Sequence, residues 1–164
     1  MSVDVETPSG ATFAVDDPEL TSMLNEGVGD DHVLTLVRSE QTLTDCRPVS
    51  LISLQTVEQI GDELGDGLDK RRFRANIYLD LDGTGGFGED EFVGRSLRVG
   101  DKAIVAILER DPRCKMISLD PDTGKHDPQV LRKIAQAHDN LAGVYCAVLV
   151  EGMVRKGDPV DLVD

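Results

Sequence analysis

Cysteine is scarce in this chain and unpatterned: the three residues, Cys46, Cys114 and Cys146, form no CxxC pair. An odd number without that spacing argues against a disulfide framework or a zinc knuckle and for a reducing compartment, with a cytoplasmic location as the expectation. No apolar run approaches the length of a transmembrane helix, and Met1-Ser2-Val3-Asp4-Val5-Glu6 lacks the basic start and apolar stretch of a signal peptide. The expectation is a soluble, unexported protein without a membrane partner. Positive charge is also in short supply, with 17 Lys and Arg against 31 Asp and Glu and a net charge of -14. Such a surface is repelled at long range by nucleic acid and anionic lipid, which excludes nonspecific binding to either. His32, His126 and His138 lack HExxH spacing and read as surface residues. No internal repeat or low-complexity linker is present. What remains, in 164 residues, is enough chain for one domain whose core needs no disulfide or metal.

Residues 1–44 read as a small strand, helix and strand: an extended segment at 11–15, a helix capped by Asp17 and opened by Pro18, a closing turn through Gly27, Gly29, Asp30 and Asp31, and a second extended segment at 33–37. After Arg47-Pro48, Leu51-Ile52-Ser53 leads into a helix whose Val57, Ile60 and Leu64 keep helical spacing, with Ser53 or Thr56 near its start and 65–67 as its end. Extended segments follow at 75–81, 97–99, 103–108, 116–119, 144–150 and 160–163, aliphatic or β-branched and bounded by glycine turns. Connections of hairpin type are read at 99–102 and 155–159. One helix interrupts them, with Asp127 as cap, Pro128 as first residue, and Val130, Leu131 and Ile134 as its buried stripe. Many short strands with few helices predict a mainly β, α+β fold closed or nearly closed into a barrel.

The chemistry concentrates at Cys114. It lies between Arg113 and Lys115, cations that favour an ionised sulfur, and a thiolate is the form that attacks electrophiles and binds metal. The Asp120-Pro121-Asp122-Thr123-Gly124 turn follows closely, which places the cysteine at a strand mouth. The alternative is a buried structural cysteine beside two solvent-facing cations. Cys146, within Val144-Tyr145-Cys146-Ala147-Val148, reads as core. The stretch 80–91 matches a calcium-loop template at Asp80, Asp82, Gly85 and Glu91, but the preceding Ile77-Tyr78-Leu79 reads as strand, so a glycine-rich surface loop is expected. A Cys/His hydrolase would use Cys114 as nucleophile, yet nothing places a histidine beside it.

Three blocks in order resemble the MOSC family, the domain named for the C-terminal part of molybdenum cofactor sulfurases and found also in amidoxime-reducing molybdoenzymes. They are Arg71-Arg72-Phe73-Arg74-Ala75-Asn76-Ile77; Pro112-Arg113-Cys114 with the 120–124 turn; and Gly143-Val144-Tyr145-Cys146 leading to Gly152 and on to Val160. The resemblance implies a single MOSC domain over 1–164, with its β-barrel core at 45–163 and 1–44 as an extension. It departs at Ala75, where the family has proline, and in the acidic residues 1–44, where molybdenum-using members often carry an additional barrel domain.

The resemblance further implies a role for Cys114, either as the ligand to molybdenum in a molybdopterin cofactor or as a sulfur carrier in persulfide form. Arg74, Asn76, Arg113 and Ser53 are then expected to orient the cofactor, with Arg74 and Asn76 projecting from one face of a strand. The implied activity is molybdenum-dependent oxygen-atom transfer on a small-molecule substrate, or sulfurtransferase-like delivery. The implied partners are an electron-donating reductase or a pyridoxal-phosphate-dependent cysteine desulfurase. A noncatalytic barrel that binds a small anionic ligand is the reading from another class.

Overall fold

Leu51 and Ile52 follow one another in the chain and both are fully buried. On a strand, successive side chains point to opposite faces, so this sheet is covered on both sides where they sit. A computed structural model describes residues 3–29, 32–37 and 46–163. Among them are eight strands and three α-helices, and the chain divides into two units, 1–42 and 43–164.

In the first unit, β1 (Asp4–Glu6) pairs antiparallel with β2 (Thr12–Ala14), and α1 (Pro18–Val28) follows. The Asp17 side chain accepts from the Glu19 N–H and Pro18 opens the helix, as the sequence predicts. The extended segment expected at 33–37 forms no strand. Its Leu34 peptide is held instead by the Asn25 amide, which accepts from the Leu34 N–H at 2.7 Å and donates to the Leu34 carbonyl at 3.0 Å. A side chain thus stands where a strand partner would. Asp30 and Asp31 of the expected turn, and the boundary expected at 44 and 45, lie outside the described residues.

The second unit is built on a six-stranded sheet in the order β4-β3-β7-β6-β5-β8, curled into a half-barrel. Its strands are β3 (Val49–Ser53), β4 (Ile77–Leu79), β5 (Ser96–Val99), β6 (Ala103–Pro112), β7 (Leu141–Val150) and β8 (Val160–Val163). Only β3 and β4 run parallel, joined through α2 (Leu54–Leu64), since parallel neighbours need a crossover. The long β6 and β7 pair with register breaks near 104–105, 107–109 and 110–112, and such bulges bend a sheet. Inside the curl, Leu51, Leu79, Leu97, Val99, Val105, Ile107, Val144 and Cys146 form one apolar cluster. On the other face, Ile52 meets α2 and α3 (Pro128–Ala137) through Val57, Ile60, Val130 and Ile134. The mainly β, α+β architecture of the sequence reading is the observed one.

Two local expectations change. Residues 116–119 are not a strand: Lys115–Ser118 is a 3-10 turn that buries Ile117 and Ser118. The loop at 155–159 does not close a hairpin with β7, because β8 pairs with β5. No helix among the described residues is long and apolar enough to cross a membrane.

Candidate functional site

The C-terminal end of β6 delivers Asp111 and Pro112, and the chain then passes through Arg113 and Cys114 into the 3-10 turn. Cys114 is exposed, and as the residue preceding that turn it makes no side-chain capping bond, so its sulfur is free. It borders a cavity of about 560 Å³ that also takes walls from Cys46, Arg47, Ser50, Tyr145 and the turn carrying Arg72, Phe73, Arg74 and Asn76. Of the expected site residues, Cys114, Arg113, Arg74 and Asn76 therefore meet at one cavity.

Ser53 lies elsewhere. It is fully buried at the N-terminus of α2, where its hydroxyl accepts from the Thr56 N–H at 3.0 Å and donates to Thr56 Oγ1 at 2.9 Å. Thr56 Oγ1 donates in turn to Glu89 Oε2 at 2.8 Å. Ser53 is a helix cap wired to a buried carboxylate and does not line the cavity.

Arg113 holds the frame. Its Nε donates to the Ala142 carbonyl at 2.7 Å, Nη1 to the Phe73 carbonyl at 3.0 Å, and Nη2 lies 2.8 Å from Asp111 Oδ2. Its peptide is clamped by Asn140, whose carbonyl accepts from the Arg113 N–H and whose amide donates to the Arg113 carbonyl. Both members of the ion pair are nearly buried, with 8% and 3% of their side chains exposed. Burial lowers the affinity of Arg113 for its proton against the pull of Asp111, and burial pushes the Asp111 carboxyl up against the pull of Arg113. Burial, reinforced by Asp111, pushes the Tyr145 hydroxyl up to about 12. The guanidinium that the sequence sets beside Cys114 is thus turned onto protein acceptors, and it fixes the backbone from which the sulfur projects.

The other wall is a 3-10 turn, Lys70–Phe73, closed by Arg74 at φ 52°, ψ 29°. A left-handed arginine costs roughly 1 kcal/mol, and such strain gathers at functional sites. Arg74 and Asn76 do not share a strand face, because β4 begins only at Ile77. Asn76 joins the wall by its peptide and side chain together, accepting from the Ser50 N–H through Oδ1 at 2.9 Å. Arg74 makes no ion pair among the described residues. Arg72 Nη2 approaches Asp120 Oδ2 at 3.4 Å, while its buried Nη1 has no partner. Unclaimed guanidinium donors at an open cavity are ready to receive an anion.

Sequence reasoning missed Cys46, Arg47, Asp111 and Tyr145 as cavity residues. Asp111 was adjacent to the motif and Arg72 within it, but Ser50 and Tyr145 meet at the cavity through the pairing of β3 with β7, which carries no local signal, and Cys46 precedes that strand. No histidine lines the cavity, which removes the Cys/His hydrolase arrangement. His138, at the end of α3, is half-buried: it stacks on Phe87 at 4.2 Å and bonds Glu63 at 2.9 Å. In the calcium-like stretch, Asp80 accepts from Gln55 and Glu89 is buried against Thr56, and among the described residues no three carboxylates there converge on a metal position.

A family model of the MOSC domain matches residues 38–161. The chain belongs to the MOSC domain family. Among its relatives, it is 31% identical over 134 residues to mitochondrial amidoxime reducing component 2 of Rattus norvegicus, a match covering 74% of this chain and 38% of that protein. The protein of the same name from Bos taurus is 30% identical over 129 residues, covering 71% and 37%. The chain thus spans little more than a third of the length of these relatives. The structure of YiiM from Geobacillus stearothermophilus superposes with a TM-score of 0.53 at 21% identity, over 72% of this chain and 55% of that one, which shows a shared fold. In this MOSC domain the three blocks of the sequence converge, the first as the arginine turn, the second as Cys114 and the third as β7 with Tyr145.

The residues present fit a molybdopterin cofactor. Arg74 lines the cavity with an exposed guanidinium that makes no ion pair among the described residues, and the orphaned Arg72 Nη1 is buried just behind the same wall, a donor set suited to an anionic group. Among the described residues no three His, Cys, Asp or Glu side chains converge on a metal position. A metal at Cys114 would therefore take its remaining donors from outside these side chains, as a metal carried by its own organic ligand does, and a soft sulfur suits it.

Proposed function

We propose that this MOSC domain binds the molybdenum cofactor in the arginine-lined cavity, with Cys114 as the protein ligand to the metal, and serves oxygen-atom transfer on a small molecule. The observation that supports this most directly is a free, exposed sulfur on the same cavity as the exposed guanidinium of Arg74. Bound there, the cofactor supplies two-electron oxygen-atom exchange. Arg72 and Arg74 hold its anionic end, and the Asn76 amide nitrogen is left to donate to a ring edge. The Arg113–Asp111 pair keeps the Cys114 backbone in place, and Phe73, Met116 and Ile117 supply apolar wall to the cavity. Electrons come from a partner reductase. Sulfur carriage, fed by a cysteine desulfurase, uses the same exposed atom and is the second reading.

The test is metal, pterin and intact-mass analysis of protein purified from its own host. Cys114→Ser is expected to lose molybdenum, and Arg72→Ala or Arg74→Ala to weaken pterin retention about 10- to 100-fold, the range for a charged hydrogen bond. Cys46→Ser, in the same cavity wall, tells whether the loss is specific to Cys114. A reductant-labile gain of one sulfur atom on Cys114, without molybdenum, supports sulfur carriage instead. Wild-type molybdenum retention in Cys114→Ser refutes the ligand role.

A further inference from the structure

The half-barrel leaves β4 and β8 as its two outer strands, each paired on one side only. Between them lies a second cavity, of about 910 Å³, within the size range of small-molecule sites. All three residues of β4, Ile77, Tyr78 and Leu79, border it. Side chains alternate along a strand, so three in succession mean that the cavity reaches the open strand edge and not merely one face. Its depth is apolar: Leu79, Leu97 and Val99 belong to the cluster inside the curl, and Leu162 of β8 lines the cavity while 43% exposed. Leu79, Leu97 and Val99 are themselves 1–3% exposed and form a packed floor, while Leu162 and Val154 stand exposed beside it, an apolar surface that a ligand would cover.

The rim carries a sign. Lys70 comes from the turn before β4, and Arg155 and Lys156 from the loop before β8. None of the three makes an ion pair among the described residues. The two carboxylates at the same rim are engaged: Asp80 accepts from Gln55 Nε2 at 2.8 Å, and Asp158 from the Arg155 N–H at 2.7 Å. Three cations against two carboxylates leave this mouth slightly positive in a chain of net charge -14, and the cations are the heads without an ion-pair partner among the described residues.

We propose that this gap is a binding site for a free carboxylate bearing an alkyl chain of medium length, with the chain over the floor of Leu79 and Leu97 against Leu162 and Val154, and the carboxylate at Arg155, Lys156 and Lys70. The site shares only Asn76 with the Cys114 cavity and does not depend on the function assigned to that cavity. Snorkelling lysine and arginine stems suit such a mouth, since their methylenes extend the apolar wall while their heads meet the anion.

The test is calorimetric titration of the whole chain with decanoate below its micelle concentration. Saturable one-site binding is expected, at least tenfold tighter than hexanoate because each buried methylene contributes about fourfold, and at least tenfold tighter than decanol. The double variant Arg155→Glu with Lys156→Glu, at exposed positions, is expected to weaken decanoate at least tenfold with an unchanged melting temperature. Arg74→Glu, at the other cavity, is expected to bind decanoate as the wild type does. The proposal is overturned by absence of saturation, by equal binding of decanol, by retention of affinity in the double variant, or by its loss in Arg74→Glu.

Discussion

Asp111 pays for its position with its proton affinity. It is buried beside Arg113 and accepts from Ser50 Oγ at 2.8 Å, yet burial still raises its carboxyl above the ordinary 3.8. Below 3.8 the folded and unfolded chains both hold the proton; above it the unfolded chain releases it first. Stability therefore falls as pH climbs from 3.8 to the raised folded value, and the loss is constant beyond. Asp111→Asn cannot ionise, so the gap between wild-type and variant melting profiles should vary with pH across that window and level off above it. A gap that is constant throughout would place the folded carboxyl at its ordinary value. At this scale the sequence was most legible where a side chain acts through its own backbone: Cys114 stands at the end of β6, close to the strand mouth read from its flanking turn. It was least legible for Arg113, whose direction depends on the Phe73 and Ala142 carbonyls that only the fold brings near.

Helix ends were readable because their chemistry is local. Asp17-Pro18 and Asp127-Pro128 each place a carboxylate acceptor and a proline where the first turn needs them, and both helices start there. Strand partners were not readable in the same way. β8 follows β7 in the chain but lies beyond β5, and the apolar run at 116–119 satisfies its burial as a 3-10 turn because its neighbours are α3 and the arginine turn. Gly143 shows what the third sequence block requires of an element. It sits in β7 at φ 79°, and an added Cβ would meet the Leu51 carbonyl oxygen at 2.7 Å and Arg113 Nη2 at 3.0 Å. Gly143→Ala is expected to cost more than about 2 kcal/mol in urea unfolding, from left-handed strain and a clash with backbone that cannot rotate away. It should also loosen Cys114, read as faster alkylation of that thiol. A variant within about 0.5 kcal/mol of wild type would show that β7 shifts to absorb the methyl.

Across the molecule, both apolar clusters draw only on residues between 49 and 160, and the family match begins at 38. A chain starting at residue 38 is therefore expected to unfold cooperatively with a melting temperature within about 4 °C of the full chain, roughly 1 kcal/mol at this size. Loss of the cooperative transition would show that the first unit is required for the second to fold. Net charge was readable from composition, but its distribution was not. The chain is acidic overall, while the cations that line its two cavities come from segments far apart in sequence, 47 and 70–74 on one side of the sheet order and 113 and 155–156 on the other.

Asn76 borders the cavity at Cys114 and the gap between β4 and β8 alike, and the turn running into it supplies Arg72 and Arg74 to the first and Lys70 to the second. That turn is a wall common to both. A change in its backbone would be felt on either side, whereas the head of Arg74, which borders only the first cavity, leaves the second as it was.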